Sequence, residues 1–69
     1  MTVNEFINVN YFCNVELSYE KSKYEHEDYN LVLCGDTNKP VYKRFGNAVV
    51  KEIYPTDGGN VALTVFFPQ

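Results

Sequence analysis

Pro55-Thr56-Asp57-Gly58-Gly59-Asn60 separates two runs rich in Val, Ile, Phe and Tyr, at 41–54 and 61–67. β-branched and aromatic residues favour a pleated, half-buried surface. Gly58, Gly59 and Asn60 adopt positive φ cheaply, as a tight reversal requires. The pattern predicts a β-hairpin and places the chain among small, mostly β proteins. Within 61–67, Val61, Leu63, Val65 and Phe67 share one side, and Ala62, Thr64 and Phe66 the other. Both sides are largely apolar, so this strand is expected inside the sheet and not at its edge.

A second pattern precedes it. Ile7, Val9, Tyr11, Cys13, Val15, Leu17 and Tyr19 alternate with Asn8, Asn10, Asn14, Glu16 and Ser18. Period two predicts a strand over 7–19 with one buried face. Phe12 breaks the polar set and is a candidate partner contact. Before it, Thr2-Val3-Asn4-Glu5 fits a capping box, which opens either one helical turn or a frayed terminus. The charged run 20–28 reads as a wide hairpin loop or a short helix, and 29–34 returns as a strand. Gly46-Asn47 reads as a tight turn or as a bulge in one bent strand. The expectation is one domain, 1–69, holding a small antiparallel meander of four to five strands: 7–19, 29–34, 41–45, 48–54 and 61–67. Its connectors, so drawn, are too short for parallel crossovers.

With 69 residues the chain lies near the lower size limit for folding alone. A strand over 7–19 would reach about 40 Å, roughly twice the span of its partner at 29–34. The excess predicts a homodimer through a strand edge. No signal-peptide pattern or membrane-length apolar run is read, so the expected compartment is cytoplasmic, with Cys13 and Cys34 as free thiols.

No catalytic or nucleotide signature stands out, and no cofactor is expected. His26 lies among Glu25, Glu27 and Asp28, but consecutive loop residues do not converge on zinc, so no metal is expected. An enzyme would need His26 beside a cysteine. The segment 42–50 is similar to the C-terminal Gly-Asn-Ala/Ser-Val segment of DNA cytosine methyltransferases. The likeness spans nine residues. That family's Pro-Cys nucleophile is absent, and 69 residues do not hold its catalytic domain, so no role is carried over.

The net charge of −3 is unevenly spread. Residues 1–36 carry Glu5, Glu16, Glu20, Glu25, Glu27, Asp28 and Asp36 against Lys21 and Lys23. Residues 37–69 carry Lys39, Lys43, Arg44 and Lys51 against Glu52 and Asp57. The acidic cluster Glu20, Glu25, Glu27 and Asp28, with Tyr24 and Phe12, is the expected surface for a protein partner bearing a basic patch. The class expected is a non-enzymatic binding protein, on the pattern of phage and mobile-element inhibitors such as anti-CRISPR proteins. If phage-encoded, it would act in the host cytoplasm. Nucleic acid is an unlikely partner for so acidic a chain. The alternative is a small nucleic-acid-binding module using Lys39, Tyr42, Lys43, Arg44, Phe45 and Lys51, where cations interleave with aromatics.

Overall fold

The computed structural model describes residues 1–9, 14–33 and 35–68. In chain order it contains α1 (Val3–Asn8), β1 (Asn14–Glu20), β2 (His26–Leu33), α2 (Pro40–Phe45), β3 (Val49–Pro55), a single 3₁₀ turn (Asp57–Gly59) and β4 (Val61–Phe66). The four strands form one sheet in the order β2-β1-β4-β3. Both helices lie on one face of it. The resulting two-layer molecule measures 30 × 24 × 19 Å.

The mostly β class is as the sequence predicts, and of the two readings of the N-terminal segment the helical one is found. At the start of α1, Glu5 N–H donates to Thr2 Oγ1 at 3.2 Å, and Thr2 N–H donates to Glu5 Oε1 at 2.9 Å. Of the expected strand over 7–19, Asn14–Glu20 is strand β1, while Ile7 and Asn8 are helical; residues 10–13 lie outside the described residues. Ile7 belongs instead to a helical stripe, Val3, Phe6 and Ile7, all buried. Spacing at i, i+3 and i+4 gives these three a common face against the core, and Val9, outside it, is 74% exposed.

The expected strand at 41–45 is overturned: these residues form helix α2. Pro40 occupies its first position, where a missing N–H costs nothing. Lys43 and Arg44 sit in the last turn, where cations suit the helix dipole. The N-cap, Lys39, makes no side-chain cap, so the usual start signal is missing.

The purely antiparallel meander is corrected with it. β1 pairs antiparallel with β2, and β3 with β4, but β1 and β4 are parallel neighbours. With 41–45 removed from the sheet, β2 and β3 are joined by one connector containing α2. That is long enough to carry the chain across the helical layer to the opposite edge. β4 then returns into the centre, where its two apolar sides fit. Within the described residues β1 is paired on both sides, by β2 and β4, so it offers no free edge to a second copy.

The core lies between sheet and helices. Val15 and Leu17 of β1, Val32 of β2, and Leu63 and Val65 of β4 meet Val3, Phe6, Ile7, Tyr42, Phe45 and Ala48. Phe45 is fully buried and contacts Tyr19, Tyr29 and Phe67 at ring-centroid distances of 4.9, 5.3 and 6.0 Å. The Tyr42 hydroxyl donates to the carbonyl of Leu33, which gives this buried polar tip a partner. Gly46 is the crossing point of the two helices. A Cβ there would lie 2.6 Å from Asn4 Oδ1 and 2.7 Å from the Tyr42 carbonyl, so only glycine fits. It is neither a hairpin turn nor a bulge.

Candidate functional site

Strand alternation builds the site. Val15, Leu17 and Tyr19 point to the helices, so Glu16, Ser18 and Glu20 point to the other face. Register extends that face across the sheet. Asp28, Ser18, Thr64 and Glu52 form one row through β2, β1, β4 and β3. Glu16, Ala62 and Tyr54 form a row on one side of it, and His26 and Glu20 start the row on the other. Neighbouring strands lie about 4.8 Å apart, so Asp28 and Glu52 are separated by roughly 14 Å. No described helix covers this face.

Its charge is mostly negative. Glu16, Glu20, Asp28 and Glu52 are the carboxylates. Lys51 Nζ reaches across β4 to Glu20, donating to Oε1 at 3.2 Å and Oε2 at 3.1 Å. Ser18 Oγ donates to Asp28 Oδ1 at 2.8 Å, and His26 Nε2 lies 3.5 Å from Asp28 Oδ2. Among the described residues, no cation pairs with Glu16 or Glu52. A shallow groove runs along the hairpin end of the face, lined by Ser18, Glu20, His26, Lys51, Glu52 and Thr64, with Tyr24 at its rim.

The Ser18, Asp28 and His26 contacts differ from a nucleophile–base–orienter chain. In such a chain the imidazole sits between hydroxyl and carboxylate, so that it can take the hydroxyl proton. Here the carboxylate is in the middle: it accepts from Ser18, and the imidazole lies on its far side, out of reach of the hydroxyl proton. Among the described residues, no three or more His, Cys, Asp or Glu side chains gather as a metal site, and no helix is long and apolar enough to cross a membrane.

The predicted acidic cluster is divided by the β1–β2 hairpin. Its turn closes through the Lys21 and Ser22 N–H groups, which donate to the Glu25 carbonyl. Of the two readings of 20–28, the hairpin loop is the one found, narrowed to 21–25 because Glu20 and residues 26–28 belong to the strands. Glu20 and Asp28 lie on the open face. Glu25 and Tyr24, 85% exposed, stand at the tip. Glu27 points to the helical side. It pairs with Lys21 at 3.0 Å and Arg44 at 3.1 Å, and accepts from the Tyr29 hydroxyl at 3.1 Å. The Lys21 hydrogen bond holds the Glu27 carboxyl below the usual carboxylate range, aided by Tyr29 and Arg44 and partly opposed by desolvation. Phe12, Cys13 and Cys34 lie outside the described residues.

The alternative surface does not assemble. Phe45 is fully buried and Tyr42 is 2% exposed, so neither offers a ring to a base. Arg44 Nη1 donates to the Tyr29 hydroxyl at 2.8 Å, and its guanidinium lies over the Phe45 ring, 4.7 Å from the centroid. Lys51 is on the open face, tied to Glu20. Lys39 and Lys43 remain on the helical layer, where neither Tyr42 nor Phe45 exposes a ring face beside them.

Sequence reasoning missed Glu16, Ser18, Thr64 and Glu52 as members of one surface. The alternation around Val15 and Leu17 already marks Glu16 and Ser18 as outward-facing. Glu52 and Thr64 join them only through β1–β4 pairing, a contact between distant parts of the chain. No protein-family model, curated protein or solved structure matches this chain.

Proposed function

We propose that this protein is a non-enzymatic binding protein that docks on a basic surface of a protein partner. The observation that carries the reading is the open sheet face. Four carboxylates from β1, β2 and β3 lie there, two of them without a neutralising cation among the described residues. The α2 cations, Lys39, Lys43 and Arg44, belong to the opposite layer, so the charge is polarised across a thin molecule. Such a face steers the protein to a positive patch and sets its orientation on arrival. The exposed Tyr24 at the hairpin tip supplies a rigid aromatic contact beside it. A basic patch of this kind commonly holds nucleic acid. Covering it makes the protein a steric inhibitor, of the sort phages and mobile elements direct at nucleic-acid-handling complexes.

The test compares wild type with a Glu16→Lys, Asp28→Lys, Glu52→Lys variant in quantitative affinity capture from host extract. Partners retained by wild type and lost with the variant are then bound again in the presence of nucleic acid. The expected result is competition, together with association that slows as salt rises. Equal capture by both proteins would remove the acidic face from the mechanism. Micromolar binding of a single-stranded oligonucleotide by the isolated protein would point to direct nucleic-acid binding instead.

A further inference from the structure

We propose that two copies of this chain pair antiparallel through the free half of β3, about Ile53, into one continuous eight-stranded sheet. β3 is an edge strand, and its outer side is only partly used. Val50 N–H donates outward to the Met1 carbonyl at 2.8 Å, and Thr2 bridges Val49, so the chain's own start covers the first part of the edge. A bulge follows between Val50 and Glu52. Pro55 closes the strand and has no N–H to offer. Lys51 to Pro55 is left, and its midpoint is Ile53.

The backbone there faces outward. Thr56 N–H donates inward to the Asn60 carbonyl at 3.0 Å. Alternation along an antiparallel ladder makes Tyr54 and Glu52 inward-bonded as well, in register with Ala62 and Thr64. The N–H and C=O of Ile53 therefore point away from the sheet. Two-fold pairing centred on Ile53 lets each copy's Ile53 N–H donate to the other's Ile53 carbonyl. This is the doubly bonded pair of an antiparallel ladder.

The side chains suit that register. The Ile53 side chain, 50% exposed, would meet its own copy on the helical side and extend the core across the junction. Glu52 would lie opposite the second copy's Tyr54 on the open side, where a hydroxyl can donate to a carboxylate. Lys51 would lie opposite Pro55, so no like charges face each other. An edge lysine ordinarily deters pairing. Here the ammonium is drawn over the open face to Glu20, away from the edge. The Met1 segment and Pro55 limit the contact to five residues, so the association is weak and concentration-dependent. It does not rest on what the acidic face binds, but it sets two such faces side by side on the same side of the joined sheet.

Sedimentation from low micromolar to millimolar concentration tests the pairing. The apparent mass should approach twice that of the chain, and Ile53→Lys should keep the monomer mass throughout. Leu33→Lys, on the other edge strand, should dimerise like wild type. Far-UV circular dichroism and Tm of each variant show that it is folded. Amide exchange gives a second readout: the Ile53 amide should slow with concentration by about tenfold or more, while Glu52 and Tyr54 hold constant. A monomer at millimolar concentration overturns the proposal. So does a dimer that survives Ile53→Lys or is lost with Leu33→Lys.

Discussion

The two faces of the sheet share the same strands and are separated by one residue of register. In β1, Val15 and Leu17 are buried under the helices, while Glu16 and Ser18, which alternate with them, are half-buried on the open side. On the helical side, specificity comes from shape: Phe45 fills the space among Tyr19, Tyr29 and Phe67, and Gly46 lets two helices touch. On the open side the side chains are polar, pair across strands, and leave Glu16 and Glu52 without cations among the described residues. The first face determines whether the chain folds. The second is largely released from that duty, and its composition is available for recognition.

Breaking the helical face should have the largest effect. Phe45→Ala removes a fully buried ring with aromatic neighbours on three sides, and such truncations cost about 3–5 kcal/mol. A domain of this size commonly has only about 5 kcal/mol or somewhat more in total, so urea unfolding should show a population already partly unfolded in buffer. Gly46→Ala comes next. Its Cβ would press on Asn4 and on the Tyr42 carbonyl, an overpacking worth about 1–3 kcal/mol, read as a lower urea midpoint with an unchanged slope.

Acid should act next, and through the carboxylates of neither face's centre. The Glu5 carboxyl is lowered by its backbone hydrogen bond to Thr2, and Glu27 by its hydrogen bond to Lys21. A carboxyl whose folded pKa lies below its unfolded value adds stability above the unfolded value, 4.5 here, and loses it as pH falls through the folded pKa. Glu5 is exposed and Glu27 only partly covered, so screening keeps the effect small. Tm measured downward from about pH 6 should fall below about pH 4.5, and a Glu5→Gln, Glu27→Gln variant should flatten that decline.

The open face should respond least in stability. Glu16→Gln with Glu52→Gln is expected to move the unfolding free energy by no more than about 0.5 kcal/mol. The same variant should weaken partner capture and its salt dependence. A large loss of stability in thermal melts would mean that this face also takes part in folding, and the contrast between the faces would fail.

What was legible in the sequence was local. The reversal at 55–60 carries its own chemistry, and Gly58 and Gly59 both take φ near +80°. The capping box at Thr2 and Glu5 is closed by residues three apart, and the alternation of β4 needs only its own residues. What was illegible depended on competition or distance. Val41, Tyr42 and Phe45 suit a strand by propensity, and only Pro40 and the demands of the core favour a helix; with Lys39 as a silent N-cap, propensity misleads. The acidic face was half legible. Glu16 and Ser18 follow from alternation, whereas Glu52 reaches them only after β4 has inserted beside β1.

That insertion has a consequence for how the protein is made. Val15 of β1 pairs with Val61 of β4, 46 positions later. During synthesis, β1 and β2 emerge and can form their hairpin, yet the inner flank of β1 stays open until β4 has been made. The nascent chain must therefore carry an unsealed strand with Val15 and Leu17 exposed until Val61–Phe66 has cleared the ribosome. Pairing so distant in sequence also slows closure. Codon usage that delays synthesis of the segment from α2 to β4 would lengthen the interval in which this chain can aggregate, while the finished fold would be the same.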